Sequence, residues 1–134
     1  MSTDILSDKD AYPLILIVDD DPTMGLALQE IFEFSGYTVL TATNAYEALD
    51  MMRAADTPPA LIISDILMEG MDGYQFFQAV REEERWRDIP FIFLSAKSKL
   101  RDDVERHGLS GQGYLTKPFI VDDLLMAVNR AVAH

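Results

Sequence analysis

Five positions in this chain carry side chains suited to holding a charged group, and each follows a short apolar or β-rich run. Asp19 and Asp20 follow the run 14–18, Asp65 follows 61–64, Ser95 follows 91–94, and Lys117 follows 113–116. Taken singly, each has an ordinary explanation: an aspartate after a strand caps a helix, and a lone serine or lysine belongs to a solvated loop. Together they point elsewhere. Parallel strands bring such ends to one edge, where open α/β sheets place their ligands. Three clustered carboxylates repel one another and raise each other's pKa unless a cation sits among them. An all-oxygen donor set selects magnesium, manganese or calcium. A lysine ammonium and a serine hydroxyl suit the equatorial oxygens of a phosphoryl group. An aspartate left to attack phosphorus would form an acyl phosphate, and Asp65 is the candidate nucleophile. The residue types describe a site that handles phosphate.

The elements that must position these groups follow from hydrophobic patterning. Leu14-Ile15-Leu16-Ile17-Val18 and Leu61-Ile62-Ile63 are continuous apolar runs bounded by turn residues, the pattern of strands buried on both faces. Asp21-Pro22 resembles an N-cap with proline at the first helical position, and Met24, Leu28, Ile31 and Phe32 recur at helical spacing up to Gly36. Tyr37 to Thr41 reads as a strand, and Asn44-Ala45-Tyr46-Glu47 as a capping box opening a helix that ends before Pro58-Pro59. A helix starts near Asp72 with Phe76, Phe77 and Val80 on one face, and fades into the charge run Glu82 to Arg85, a solvated face. A strand at 91–94, a polar helix at about 99–107, a strand ending at Pro118, and a helix from Asp122 burying Leu124, Leu125, Val128 and Val132 complete the chain. Strand and helix alternate five times, which predicts a parallel sheet with helices on both faces. Residues 1–12 are polar, acidic and aperiodic, and read as a loose arm before one domain over 13–134.

Composition narrows the chemistry. The chain has no cysteine, so no thiolate nucleophile, disulfide or cysteine-based zinc site is available, and its two histidines, His107 and His134, lack ligand spacing. A net charge of -12 opposes binding to phosphate backbones or anionic membranes. No apolar run approaches a membrane span and the first residues do not resemble a signal peptide, so a cytoplasmic location is expected.

With these residues in place, a resemblance is specific. Ile17-Val18-Asp19-Asp20-Asp21-Pro22, Ile63-Ser64-Asp65 with Gly70-Met71-Asp72-Gly73, Ile89-Pro90 through Ser95-Ala96, and Tyr114-Leu115-Thr116-Lys117-Pro118-Phe119 resemble, in this order and spacing, the motifs of response-regulator receiver domains of two-component phosphorelay signalling. The resemblance covers 13–134 and implies a flavodoxin-like, three-layer (βα)5 sandwich whose doubly wound five-stranded parallel sheet has order 2-1-3-4-5. It implies that Asp65 takes a phosphoryl group from a phosphohistidine of a sensor histidine kinase or histidine phosphotransfer protein. It implies Mg²⁺, with Mn²⁺ as a substitute, held by Asp20, Asp65 and the Leu67 backbone carbonyl, with Asp19 acting partly through water. Lys117 would contact the phosphoryl group before a cis bond to Pro118, and Ser95 and Tyr114 would form a switch pair. Output would pass through the face of the fourth helix, fifth strand and fifth helix, to a downstream protein or a second receiver rather than to nucleic acid or a membrane. Such a chain is a phosphorylatable switch rather than a turnover enzyme. Two departures stand out: Glu69 occupies a place where proline is common, and Ser110-Gly111-Gln112-Gly113 precedes the tyrosine.

Two other readings fit parts of the sequence. Asp19-x-Asp21-x-Thr23 resembles the first motif of haloacid-dehalogenase-type phosphatases, with Asp19 as nucleophile and Asp21 as general acid. There the acidic pair should lie well beyond the lysine, whereas Asp122-Asp123 comes only five residues after it, and Asp65 has no role. A phosphate-independent pseudo-receiver would bind partners without chemistry, against which the full set of site residues argues.

Overall fold

A computed structural model describes residues 13–96 and 113–132. The expected arm at 1–12, the polar helix at 99–107 and the loop at 110–112 lie outside the described residues. In chain order the elements are β1 (Leu14–Val18), α1 (Pro22–Phe34), β2 (Thr38–Ala42), α2 (Ala45–Ala54), β3 (Leu61–Asp65), α3 (Gly73–Glu82), a 3₁₀ turn (Glu84–Trp86), β4 (Phe91–Ala96), β5 (Gly113–Lys117) and α4 (Val121–Val132). All strand pairs are parallel, as the alternation predicts, and the sheet order is β2-β1-β3-β4-β5, as the resemblance implies.

The continuous apolar runs are explained by two cores. Leu16, Val18, Ile62, Phe91 and Phe93 face α2 and α3, packing with Ala48, Met52, Phe76 and Val80. Ile15, Ile17, Leu61, Ile63, Ile92 and Leu94 face the other way, onto Leu28 and Phe32 of α1 and Leu124 and Val128 of α4. Successive strand residues point to opposite faces, so a strand covered on both sides must be apolar throughout. Short-range chemistry sets the helix starts. Asp21 accepts the Thr23 N–H ahead of Pro22, Asn44 accepts the Glu47 N–H, and Asp72 and Gln75 form a reciprocal capping box. Each such cap contributes about 1 kcal/mol. The Glu47 carboxylate reaches the Thr43 N–H at 2.7 Å, so that box closes one residue upstream of the predicted one.

The structure departs from the sequence reading at two helix ends. Leu125 and Val132 of α4 are half-buried, while Leu124 and Val128 carry its buried face. The charge run after α3 breaks rather than fades: the 3₁₀ turn sinks Trp86 into the core at 2% exposure. Arg81 holds this turn, donating to the Ile89 carbonyl at 2.7 Å and the Trp86 carbonyl at 3.3 Å, with its guanidinium 4.7 Å from the Phe77 ring centroid. A planar cation can satisfy carbonyls and stack on an aromatic face at once.

Candidate functional site

Sheet register assembles the acidic cluster. Val18 pairs with Ser64, so the residues that follow them, Asp19 and Asp65, emerge side by side at the carboxyl edge of the two central strands. Asp19 is then held in place: its N–H donates to the Ala42 carbonyl at 3.1 Å, and its Oδ1 accepts the Asp21 N–H at 2.9 Å. Asp65 is anchored through Ser64, whose buried hydroxyl donates to the Asp65 carbonyl at 2.8 Å. Both carboxylates are buried, at 2% and 6% exposure, whereas Asp20 faces solvent. Carboxylate oxygens of Asp19, Asp20 and Asp65 lie within 4.8 Å of one another.

Lys117 closes the cluster from two strands away. Neighbouring strands are roughly 4.8 Å apart, so β5 lies roughly 10 Å from β3. That is the span of a lysine stem plus a hydrogen bond, and Nζ lies 2.6 Å from Asp65 Oδ1 and 3.4 Å from Asp19 Oδ2. The Lys117–Pro118 peptide bond is cis. Ser95, buried on β4 between these strands, pairs in register with Thr116. Tyr114, two residues before Lys117, stacks on Phe93 with centroids 6.1 Å apart. Its hydroxyl is buried and meets no hydrogen-bond partner among the described residues, and burial raises its pKa. Leu67, two residues after Asp65, is exposed between the buried Ile66 and Met68.

The electrostatics favour capture of a cation. Burial pushes the Asp65 carboxyl up from 3.8 to about 7; the Lys117 hydrogen bond pulls it down, and the Asp19 carboxylate pushes it further up. For Lys117, burial works against the ammonium, but its contacts with Asp65 and Asp19 outweigh that and raise its pKa. One ammonium does not balance three carboxylates, so the cluster is short of positive charge. The donor set is entirely hard oxygen, which fits Mg²⁺ or Mn²⁺.

Several parts of the site carry no single-residue signal. Ser64 reads as one more strand residue until its hydroxyl is seen fastening Asp65. Gly73 opens α3 where a Cβ would lie 2.4 Å from the Asp65 carbonyl oxygen and 2.8 Å from Ile66 Cα. Its N–H donates to the Ile66 carbonyl at 2.8 Å, so the loop after Asp65 folds back on the strand end it leaves. The glycine-studded segment 70–73 is the only trace of this in the sequence. Asp21, the general acid of the phosphatase reading, instead caps α1 with its carboxylate.

A doubly wound parallel sheet with a lysine-closed acidic pocket at its carboxyl edge defines the class. The chain belongs to the response regulator receiver domain family, whose defining pattern matches residues 15–129. It is 38% identical over 120 residues to the response regulator Rre1 of a Synechocystis species, covering 89% of this chain and 51% of that protein. Among solved structures, it is similar to the signal receiver domain of a signal transduction histidine kinase from Syntrophus aciditrophicus, with a TM-score of 0.80, 36% identity and 90% of each chain covered. The chemotaxis protein CheY4 of Vibrio cholerae gives a TM-score of 0.81 at 30% identity, covering 90% of this chain and 99% of that one. The chain spans about half the length of the first relatives it matches. It is a receiver domain of two-component regulatory systems, and no helix among the described residues is long and apolar enough to cross a membrane.

Proposed function

We propose that Asp65 accepts a phosphoryl group from a phosphohistidine on a sensor histidine kinase or histidine phosphotransfer protein, in a Mg²⁺-dependent reaction, and that the acyl phosphate switches a partner-binding face. The observation that carries this is the buried Asp65 carboxylate, set beside Asp19 and 2.6 Å from Lys117 Nζ. An Asp65 carboxylate oxygen attacks phosphorus, the P–N bond breaks, and the departing imidazole takes up a proton. Asp19, Asp20 and Asp65 would hold the ion, with the Leu67 carbonyl completing the set that the resemblance implies. When bound, Mg²⁺ offsets the carboxylates and the charge on the transferred phosphoryl oxygens.

The chain's own groups do the rest. Lys117, already on Asp65, pairs with a phosphoryl oxygen once the carboxylate is phosphorylated. Ser95 donates its hydroxyl to another, and Tyr114 follows it inward, biasing the face that includes β5 and α4. Ile120, Val121 and Met126 give that face exposed apolar surface for a downstream protein or a second receiver. The chain acts on its own side chain and releases no product other than phosphate, so it is a switch rather than a turnover enzyme. With a charge of -12, its residues suit a protein partner in the cytoplasm rather than nucleic acid.

The test is intact mass after incubation with phosphoramidate or acetyl phosphate and Mg²⁺. One phosphoryl adduct is expected, absent in Asp65→Asn. Labelling that survives Asp65→Asn but disappears in Asp19→Asn would restore the phosphatase-like reading. No adduct from either donor or from a histidine kinase would leave an interaction module without phosphate chemistry.

A further inference from the structure

We propose that Glu69 is a specificity-determining residue of this acceptor, screening phosphodonors by charge: it slows transfer from dianionic donors relative to donors of lower negative charge. The proposal rests on the reading of Asp65 as phosphoacceptor. A cleft of about 730 Å³ opens beside the acceptor pocket, lined by Asp20, Thr43, Asn44, Tyr46, Glu69 and Gly70. Asp20 belongs to both cleft and acidic cluster, so the two are continuous. Among the described residues, the cleft lining therefore offers two carboxylates and no cation. The lysine of the pocket is already in contact with Asp65 and Asp19. Three carboxylates, one ammonium and one divalent cation sum to zero charge. Glu69 is then the uncompensated charge on the cleft wall.

This charge sits on a held turn rather than a loose loop. Gly70 adopts a left-handed conformation, with φ of +76°, and a Cβ there would lie 3.2 Å from Tyr46 Cε2. The turn that carries Glu69 thus packs against the Tyr46 ring, which forms another part of the cleft wall. On its far side, the Gly73 N–H bond to the Ile66 carbonyl ties the same loop to β3. A fixed charge beside a reacting group acts through Coulomb energy, and its effect scales with the charge of the incoming ligand. In a solvated, salt-screened cleft, one unit of donor charge corresponds to roughly a two- to fivefold difference in rate.

The experiment compares acetyl phosphate, dianionic near neutral pH, with phosphoramidate, largely monoanionic there. Phosphorylation rates of the full chain and of Glu69→Gln and Glu69→Lys are measured at saturating Mg²⁺, with Mg²⁺ affinity determined separately for each protein by calorimetry. The ratio of the acetyl phosphate rate to the phosphoramidate rate should rise roughly two- to fivefold in Glu69→Gln and further in Glu69→Lys. The difference between the proteins should shrink as salt is raised. A change in Mg²⁺ affinity or loop geometry moves both rates by one factor and leaves the ratio alone; that result would overturn the proposal, as would no change at all. Failure of the underlying reading looks different: neither donor would label Asp65 in the unsubstituted protein.

Discussion

Replacing Asp65 by asparagine should stabilise the metal-free protein, and by an amount that grows with pH. The ionised carboxylate is buried beside Asp19, and its pKa stands at about 7 against 3.8. At 1.36 kcal/mol per unit, ionised Asp65 costs the folded state about 4 kcal/mol once the pH exceeds both values. That net figure already contains the Lys117 attraction, because all three influences act on the charge that asparagine lacks. Burying the amide, with incomplete hydrogen bonding, takes back roughly 2 kcal/mol. The expected gain near pH 8 is about 2 kcal/mol, or roughly 6 °C in melting temperature for a domain of this size.

The sign of the pH dependence follows from proton binding. Between 3.8 and about 7 the folded chain holds the Asp65 proton and the unfolded chain does not, so stability falls as pH rises through that window and then levels. The advantage of Asp65→Asn should therefore be about 2 kcal/mol larger near pH 8 than near pH 5.5, whatever the amide costs. Urea unfolding of both proteins in a chelator at the two pH values measures it. Mg²⁺ should then reverse the order by stabilising the unsubstituted protein. Equal stability differences at both pH values, or a penalty that deepens with pH, would refute the electrostatic account of this pocket.

Three further outcomes are expected. Mg²⁺ affinity should rise with pH up to about 7 and level above it, with proton release below, because Asp65 must be ionised to act as a ligand; calorimetry in two buffers of different ionisation enthalpy reports this. Gly73→Ala should destabilise the fold by roughly 3 kcal/mol or more, since its Cβ would meet backbone rather than a flexible side chain, at 2.4 Å from the Asp65 carbonyl oxygen. Urea midpoints measure that loss, which should exceed the effect of Gly36→Ala, where a Cβ finds nothing within 4 Å and only the left-handed φ of +97° strains an alanine. Ser95→Ala should still accept phosphate at Asp65 while amide chemical-shift changes along β5 shrink; an unchanged β5 response would remove Ser95 from the switch.

The division between what was legible in the residues and what was not follows from range. Strands β1 and β3 were readable because burial on both faces demands an unbroken apolar run. The starts of α1 and α2 were readable because a cap is made within three residues, as Asp21 and Asn44 make theirs. The alternation of elements restricted the topology to a parallel sheet, and a parallel sheet gathers Asp19, Asp65, Ser95 and Lys117 at one edge. The residue types and their order were enough to recognise the family.

Tertiary structure decided how those groups meet. No local pattern reports that Val18 stands beside Ser64, or that Lys117 reaches across β4 to Asp65. The elevated Asp65 pKa exists only once β3 is buried beside Asp19. Trp86 follows the charge run Glu82 to Arg85 directly, and only the turn after α3 carries it into the core. Glu69 stands between the two: the sequence marks it as a departure from the family pattern, but only the packing of Gly70 against Tyr46 holds its turn at the wall of a cleft that opens on Asp20. Periodicity and caps are set by neighbours a few residues apart, whereas the field at a reacting atom is summed over groups that folding brings from tens of residues away.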